Sequence, residues 1–291
     1  MRERIAIVTS SYPREPGDAS GHFVQSEARA LVAAGHDVTV FAAGRPREEA
    51  GSPRVVWLAD GGAAGFPGLK ARLRAMPLRW FGLAAWLTRV RAALDARGPF
   101  ERIVAHWLVP AALPLLALDA PSARLELVVH GSDARVLARL PRPLARSLLR
   151  TLLARDASLR CVSQELAELV QSLAGQPLAD RLRVEPAPID VSGAPSREQA
   201  RKELGLRAEA RLGVVVARLI AEKRVDVALR AALRVEGLDV AVIGDGPERP
   251  ALSRAFPSVR FTGQLARHDA LRWIAASDVV LSASRNEGAP S

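Results

Sequence analysis

Residues 214–226 read VVVARLIAEKRVD. The apolar run that starts at Leu212 and ends at Ala217 predicts a buried parallel strand. At Arg218 it gives way to a short basic loop that contains Lys223, and helical spacing resumes near Val225. A strand, a basic loop and a helix in that order is how α/β proteins build anion sites at the carboxyl edge of a sheet. The planar fork of Arg218 and the mobile ammonium of Lys223 suit a diphosphate. Two solvated cations on an arginine-rich surface fit the same letters, so the neighbouring segments have to decide between the two readings.

Outward from that stretch the βα rhythm repeats. Downstream, strands are predicted at 238–243, 259–262 and 278–282, with helices from about 247 and over 269–276. The 238–243 run ends in Gly244-Asp245-Gly246-Pro247, a tight turn into a helix start. Upstream, Ser196 caps a helix over 196–204. Before it comes VEPAPIDVSGAPS, whose Pro186, Pro188, Pro195 and Gly193 mark a linker. The domain boundary is therefore expected near 185–195, giving domains of 1–188 and 189–291.

The first half shows the same grammar. Strands are predicted at 5–9, 38–42, 54–58, 101–106, 125–130 and 159–162. Helices are predicted at 22–34, 107–120, 141–155 and 164–173, the last capped by Ser163. A long basic helical stretch over 69–97 is interrupted by Pro77. The first loop is not Gly-x-Gly-x-x-Gly, so a dinucleotide fingerprint is absent. Gly21 sits at a helix start where backbone can approach a ligand, or where the chain simply turns. His130 closes a strand ahead of Gly131-Ser132-Asp133, a position at which open α/β sheets face their ligands.

Composition bounds the function. Hydrophobic residues make up 49% of the 291 and charged residues 25%, as in an ordinary globular protein of one or two domains. The net charge of +10 would fit nucleic acid, a membrane surface or an anionic substrate. Lysine occurs only as Lys70, Lys202 and Lys223, and arginine runs along the whole length. The charge thus reads as compositional bias, and no nucleic-acid partner is expected. Cys161, the only cysteine, lies in an apolar run and reads as core. No signal peptide precedes the first strand, and no apolar run approaches the ~20 residues needed to span a bilayer. A cytoplasmic protein is expected.

In a parallel sheet the loops at 218–223, 244–247 and 284–291 share one edge. That edge gathers an Arg, a Lys, a Gly-x-Gly turn and Glu287 beside Gly288. Cations and helix N-termini suit a diphosphate, and a carboxylate suits sugar hydroxyls. Together they read as a nucleotide-sugar site.

With these residues assembled, the chain resembles a retaining glycosyltransferase of the GT-B type, the large family that includes bacterial mannosyl- and glucosyltransferases. The matching stretches run in the family's order: SSYPREPGDASGHFVQSEARALVAAGHDVTVF (10–41), VVHGSD (128–133), VSQELAELV (162–170), VARLIAEKRVDVALRAA (216–232), VIGDGPERPAL (242–252), VRFTGQL (259–265) and SASRNEGAPS (282–291). The resemblance implies two Rossmann-like doubly wound domains facing a cleft. It implies that Arg218 and Lys223 hold the donor diphosphate, with Gly21 on the loop facing the phosphates. It places Glu287 and His130 at the reacting sugar, Gly244, Gly246 and Gly288 near the donor, and the backbone of Gly263 to Leu265 at the base. The donor would be a nucleotide-diphosphate sugar, and the acceptor a glycan or lipid-linked hydroxyl. No Asp-x-Asp occurs, which fits a metal-independent, cofactor-free reaction.

Two departures stand out. The linker reads PAPID where the family usually has Asn-Gly after the first proline. The second Glu of the paired motif and the later βα units would lie beyond Ser291, so a C-terminally truncated second domain, with weak donor binding, is expected. A competing reading from another class is a non-catalytic module that binds anionic membrane or a partner through 69–97. That stretch carries Lys70, Arg72, Arg74, Arg79, Arg89, Arg91 and Arg97 among Trp80, Phe81 and Trp86. The bland form of the same feature is a surface helix with its aromatic residues turned to the core. A nucleotide-sugar epimerase of the same two-domain fold is a distant third reading.

Overall fold

Alternating strands and helices leave each strand covered on both faces, and the buried runs of the sequence become parallel sheets. The computed structural model describes residues 2–15, 18, 20–65, 69–118, 122–189, 191, 193–207 and 209–285, except for the side chains of residues 70 and 71. Contacts divide the chain near residue 189 into two compact units.

The first unit opens with β1 (Arg4–Thr9), α1 (His22–Ala33), β2 (Asp37–Ala43), a short β3 (Arg47–Glu49) and β4 (Arg54–Leu58). Next come α2 (Leu69–Ala75), α3 (Arg79–Arg97), β5 (Arg102–His106), a 3-10 turn (Leu113–Ala117) and β6 (Arg124–Val129). It continues with α4 (Ser132–Leu137), α5 (Arg142–Leu153), β7 (Ser158–Cys161), α6 (Gln164–Ala174) and β8 (Leu182–Val184). The sheet order is β3-β4-β2-β1-β5-β6-β7-β8, with only β3 antiparallel. Ile5, Ala6, Ile7 and Val8 are fully buried, because β1 is central and covered from both sides.

The chain leaves β1 toward β2 and β4, then returns to β5 on the other side of β1. Thr9 therefore pairs with Ala42 on one side and His106 on the other. Connections diverge at such a reversal, and the carboxyl ends of β1 and β5 border the crevice where open sheets bind ligands.

One expectation for this unit is corrected. Of the helix expected over 107–120, the described residues 107–118 do not form one helix. Pro110 and Pro114 lack amide hydrogens, and the amide of Leu108 donates to Asp133 rather than to a helical carbonyl. The resulting segment is a series of turns around the short 3-10 stretch. The basic stretch at 69–97 is two helices, parted at Pro77 as its sequence leads one to expect. The short strands β3 and β8 have too few alternating residues to stand out in the sequence.

The second unit contains α7 (Arg197–Glu203), β9 (Arg211–Val216), a 3-10 turn (Ala221–Lys223) and α8 (Val225–Ala232). It goes on with β10 (Leu238–Ile243), α9 (Arg249–Ala255), β11 (Arg260–Gly263), α10 (Arg267–Ala276) and β12 (Val279–Val280). Its parallel sheet runs β11-β10-β9-β12. The two faces alternate strictly. Val215, Val240 and Val242 pack with Leu229 on one side, while Val214, Ala241 and Ile243 pack with Trp273 on the other. Ser196 caps α7 by accepting from the amide of Gln199 at 3.2 Å. The strand expected over 278–282 is paired only at Val279 and Val280, and the helix expected from 247 starts at Arg249.

Candidate functional site

In the second unit β9 lies between β10 and β12, so the direction of winding reverses at β9. The loop after β9 carries Arg218 and Lys223 to that point. It is held by backbone on two sides. Leu219 donates its amide to the carbonyl of Asp245 at 2.9 Å, and its own carbonyl accepts from Glu248 at 3.0 Å. On the other side Arg285 donates its amide to the carbonyl of Glu222 at 3.0 Å.

The glycines of the neighbouring turn are required by this docking. A Cβ on Gly244 would lie 1.9 Å from the carbonyl oxygen of Ala217, and one on Gly246 would lie 2.4 Å from that of Leu219. Gly244 also donates its amide to the carbonyl of Gly263 at 2.8 Å. Arg218, Lys223, Gly244, Gly246 and Gly263 are thus brought to one sheet edge. Arg218 is exposed and Lys223 half-buried, and both also engage neighbours in the chain. Leu265 follows on that edge, its half-buried side chain packed against the core cluster of Ala200 and Trp273.

In the first unit His130 stands just past the end of β6. Its Nε2 is 2.9 Å from Nδ1 of His106, the fully buried last residue of β5. Phe23 from the first turn of α1 and Trp107 pack around the imidazole, with ring centroids 4.7 and 4.8 Å away. Trp107 holds a left-handed φ of 77°, an uncommon conformation for so bulky a residue. Asp133 ties the two loops together by accepting from Leu108 at 2.8 Å and from Gly131 at 2.9 Å. Gly21 precedes α1 with φ 70°, and a Cβ there would lie 2.1 Å from the carbonyl oxygen of Ser11. That contact accounts for the glycine, whatever else faces it.

Burial governs the titration of this cluster. It carries the His106 imidazole down to about 3, helped by the charge on Arg160. Burial, His106 and Arg160 hold His130 well below its ordinary value, so both rings are neutral near neutral pH. Burial pushes the Cys161 thiol up to about 12, which removes it as a nucleophile.

Comparisons with known proteins identify the family and the fold. Residues 20–192, more than half the chain, match Glycosyltransferase Family 4, and residues 210–291 match Glycosyl transferases group 1. The chain belongs to glycosyltransferase family 4. It is 27% identical to TuaC of Bacillus subtilis, named as a teichuronic acid biosynthesis glycosyltransferase, across 99% of this chain and 77% of that protein. Among solved structures it is similar to sucrose-phosphate synthase from Thermosynechococcus elongatus, with TM-score 0.75 and 18% identity over 99% of this chain and 77% of that one. It is also similar to Anabaena HepE, crystallised with UDP-glucose, with TM-score 0.58 and 16% identity over 96% of this chain and 73% of that one. The architecture of this family 4 glycosyltransferase is GT-B.

Two expected site residues of the glycosyltransferase, Glu287 and Gly288, lie outside the described residues. Others were not anticipated at all. Glu27, His106, Glu126 and Arg160 are buried together, with Arg160 Nε 2.7 Å from Glu126 and Arg160 bonded to Glu27. Arg102 and Arg183 also pair with Glu126. The signal that could have found them is a lone charge inside an apolar pattern: Glu126 in RLELVV, Arg160 in SLRC. A buried ion is expected to be paired, and each of these called for a partner.

Proposed function

We propose that this glycosyltransferase moves a hexose from a nucleotide-diphosphate sugar to a hydroxyl of a glycan or lipid-linked acceptor, with retention at the anomeric carbon. The observation that carries the reading is the loop with Arg218 and Lys223, clamped by backbone at the reversal point of the second sheet. The anomeric carbon–oxygen bond breaks with its electron pair passing to the diphosphate. Arg218 and Lys223 stabilise that charge, the largest contribution of the site. The acceptor oxygen bonds to the same carbon, and its proton passes to the leaving phosphate. His130, held neutral, meets a sugar hydroxyl. Glu287 accepts hydrogen bonds from the donor sugar, the backbone of Gly263 to Leu265 faces the base, and Gly21 and Gly288 line the donor. No metal ion takes part.

A thermal-shift screen against UDP, GDP, ADP and their sugar conjugates tests the reading. UDP leads the list because a structure of the same fold holds UDP-glucose. One nucleotide should raise the melting temperature, and Arg218→Ala or Lys223→Ala should abolish the rise, each variant being compared with its own unliganded melting temperature. An unaltered shift in both variants removes the site assignment. The anomeric configuration of the product, read by NMR, decides retention.

A second feature favours a peripheral membrane contact of the enzyme. Met76, Leu78, Trp80 and Phe81 cluster between α2 and the start of α3, and Leu78 and Phe81 are 72% and 75% exposed. Trp86, by contrast, is fully buried. Much of the positive charge nearby is already engaged: Arg72 bonds Gly62, Arg89 bonds Ala59 and Arg97 pairs with Glu48. The contact therefore rests on the apolar side chains, with Arg74 beside them. Among the described residues no helix is long and apolar enough to cross a membrane. Flotation with anionic vesicles should recover the protein, and Leu78→Glu with Phe81→Glu should release it; no recovery at low salt removes the contact.

A further inference from the structure

We propose that Glu27 and His106 set the tautomer of His130, holding its Nε2–H toward His106 and leaving Nδ1 as a hydrogen-bond acceptor. The two imidazoles meet at 2.9 Å through Nδ1 of His106 and Nε2 of His130, so one of these nitrogens donates and the other accepts. At the far side of His106, Nε2 lies 3.7 Å from Oε2 of Glu27. Both atoms are buried, and neither has a hydrogen-bond partner among the described residues. Among the described residues each is the other's complement.

The second oxygen of Glu27 is bonded to Arg160, whose guanidinium also meets Glu126. Burial pushes the Glu27 carboxyl up, and the Arg160 charge works against that. Arginine remains charged inside a protein, so the pair keeps Glu27 as a carboxylate, which only accepts. A carboxylate facing His106 Nε2 calls for an N–H there. The reverse order would set two lone pairs against each other in a buried space. With its proton on Nε2, His106 presents a lone pair at Nδ1, and His130 must donate Nε2–H to it. Phe23 and Trp107 fix the ring that is so oriented.

The chain of contacts runs Arg160, Glu27, His106, His130, from α1 and three adjacent strands to the end of the sheet. His106 is a positioning residue: it acts on a ligand only through His130. A neutral ring with Nδ1 as acceptor meets a hydroxyl group and rejects a phosphate or carboxylate oxygen. This consequence rests on the reading of His130 as a sugar-facing residue; the tautomer does not.

The test is a long-range proton–nitrogen correlation spectrum of the full chain labelled with nitrogen-15 histidine, with His130 assigned by its loss in His130→Gln. His130 should show the neutral Nε2–H pattern near neutral pH. In His106→Phe, which keeps an aromatic ring but has no acceptor, the pattern should relax to a mixture of tautomers. In Glu27→Gln the Nε2–H fraction of His130 should fall. A His130 protonated at Nδ1 in the unaltered protein, or a pattern indifferent to both variants, overturns the proposal. Should the variants fail to fold, a His130 protonated at Nδ1 in the unaltered protein still overturns the proposal. The nucleotide melting screen is independent of this spectrum, so failure of the transferase site and failure of the tautomer are told apart.

Discussion

The amide of Leu219 donates to the carbonyl of Asp245 at 2.9 Å, joining the loop that carries Arg218 and Lys223 to the turn between Gly244 and Gly246. The two loops approach so closely that no side chain fits between them. Gly244 holds φ 137° and Gly246 φ 159°, conformations that suit glycine. Gly244→Ala is therefore expected to destabilise the protein by about 2 kcal/mol or more, from strain and the clash with Ala217. It should also displace Arg218. Urea unfolding with and without nucleotide checks both, and unchanged nucleotide binding in the folded variant contradicts the role given to the docking.

Asp133 is the corresponding tie in the first unit. Its carboxylate is buried and serves the amides of Leu108 and Gly131. Asp133→Ala leaves two buried donors without an acceptor, at roughly 1–3 kcal/mol each. We expect a clear drop in the urea midpoint. Trp107 and His130, on either side of the tie, should also lose their fixed packing. A change in Trp fluorescence anisotropy at native concentrations of urea reports the latter.

Acid should weaken the fold through His106. Its pKa is near 3 when folded against 6.5 when unfolded, so between those values the unfolded chain binds the extra proton. Stability is then full above about pH 6.5 and declines as pH falls, by about 1.4 kcal/mol per unit for this one group. Glu27, whose pKa is raised, acts in the opposite direction near its own titration. Comparing the protein with His106→Gln isolates the histidine: the variant should show a shallower loss between pH 6 and 4 in urea unfolding.

Removing divalent metal should leave the reaction intact. Charge on the leaving diphosphate is assigned to Arg218 and Lys223, so turnover of the nucleotide sugar found by the melting screen should be the same in EDTA. A loss that magnesium or manganese restores would transfer that role to a cation.

Some of this was legible in the letters alone. The run LGVVVA followed by Arg218 and Lys223 announced a strand, a basic loop and a helix, because a doubly covered strand has to be apolar throughout. Gly244 and Gly246 were legible as special positions, but the reason was not: it is the carbonyls of Ala217 and Leu219, brought over from another strand. The segment 107–120 misled, since its apolar spacing resembles a helix while its backbone partners, Asp133 above all, come from outside the segment. At 69–97 the break at Pro77 was visible, but not which aromatic residue faces inward.

By itself, the sequence determined the α/β class, most strands and helices, and the family, because periodicity and loop chemistry are local and survive reading one residue at a time. Tertiary structure decided the partners. Glu27, His106, Glu126 and Arg160 come from α1, β5, β6 and β7; Glu126 alone is a stray charge in an apolar run, and Glu27 is one polar residue among others in VQSEAR. Burial makes an unpaired charge intolerable. Periodicity shows which face a residue occupies, and only the order of strands in the sheet shows which other charge shares that face.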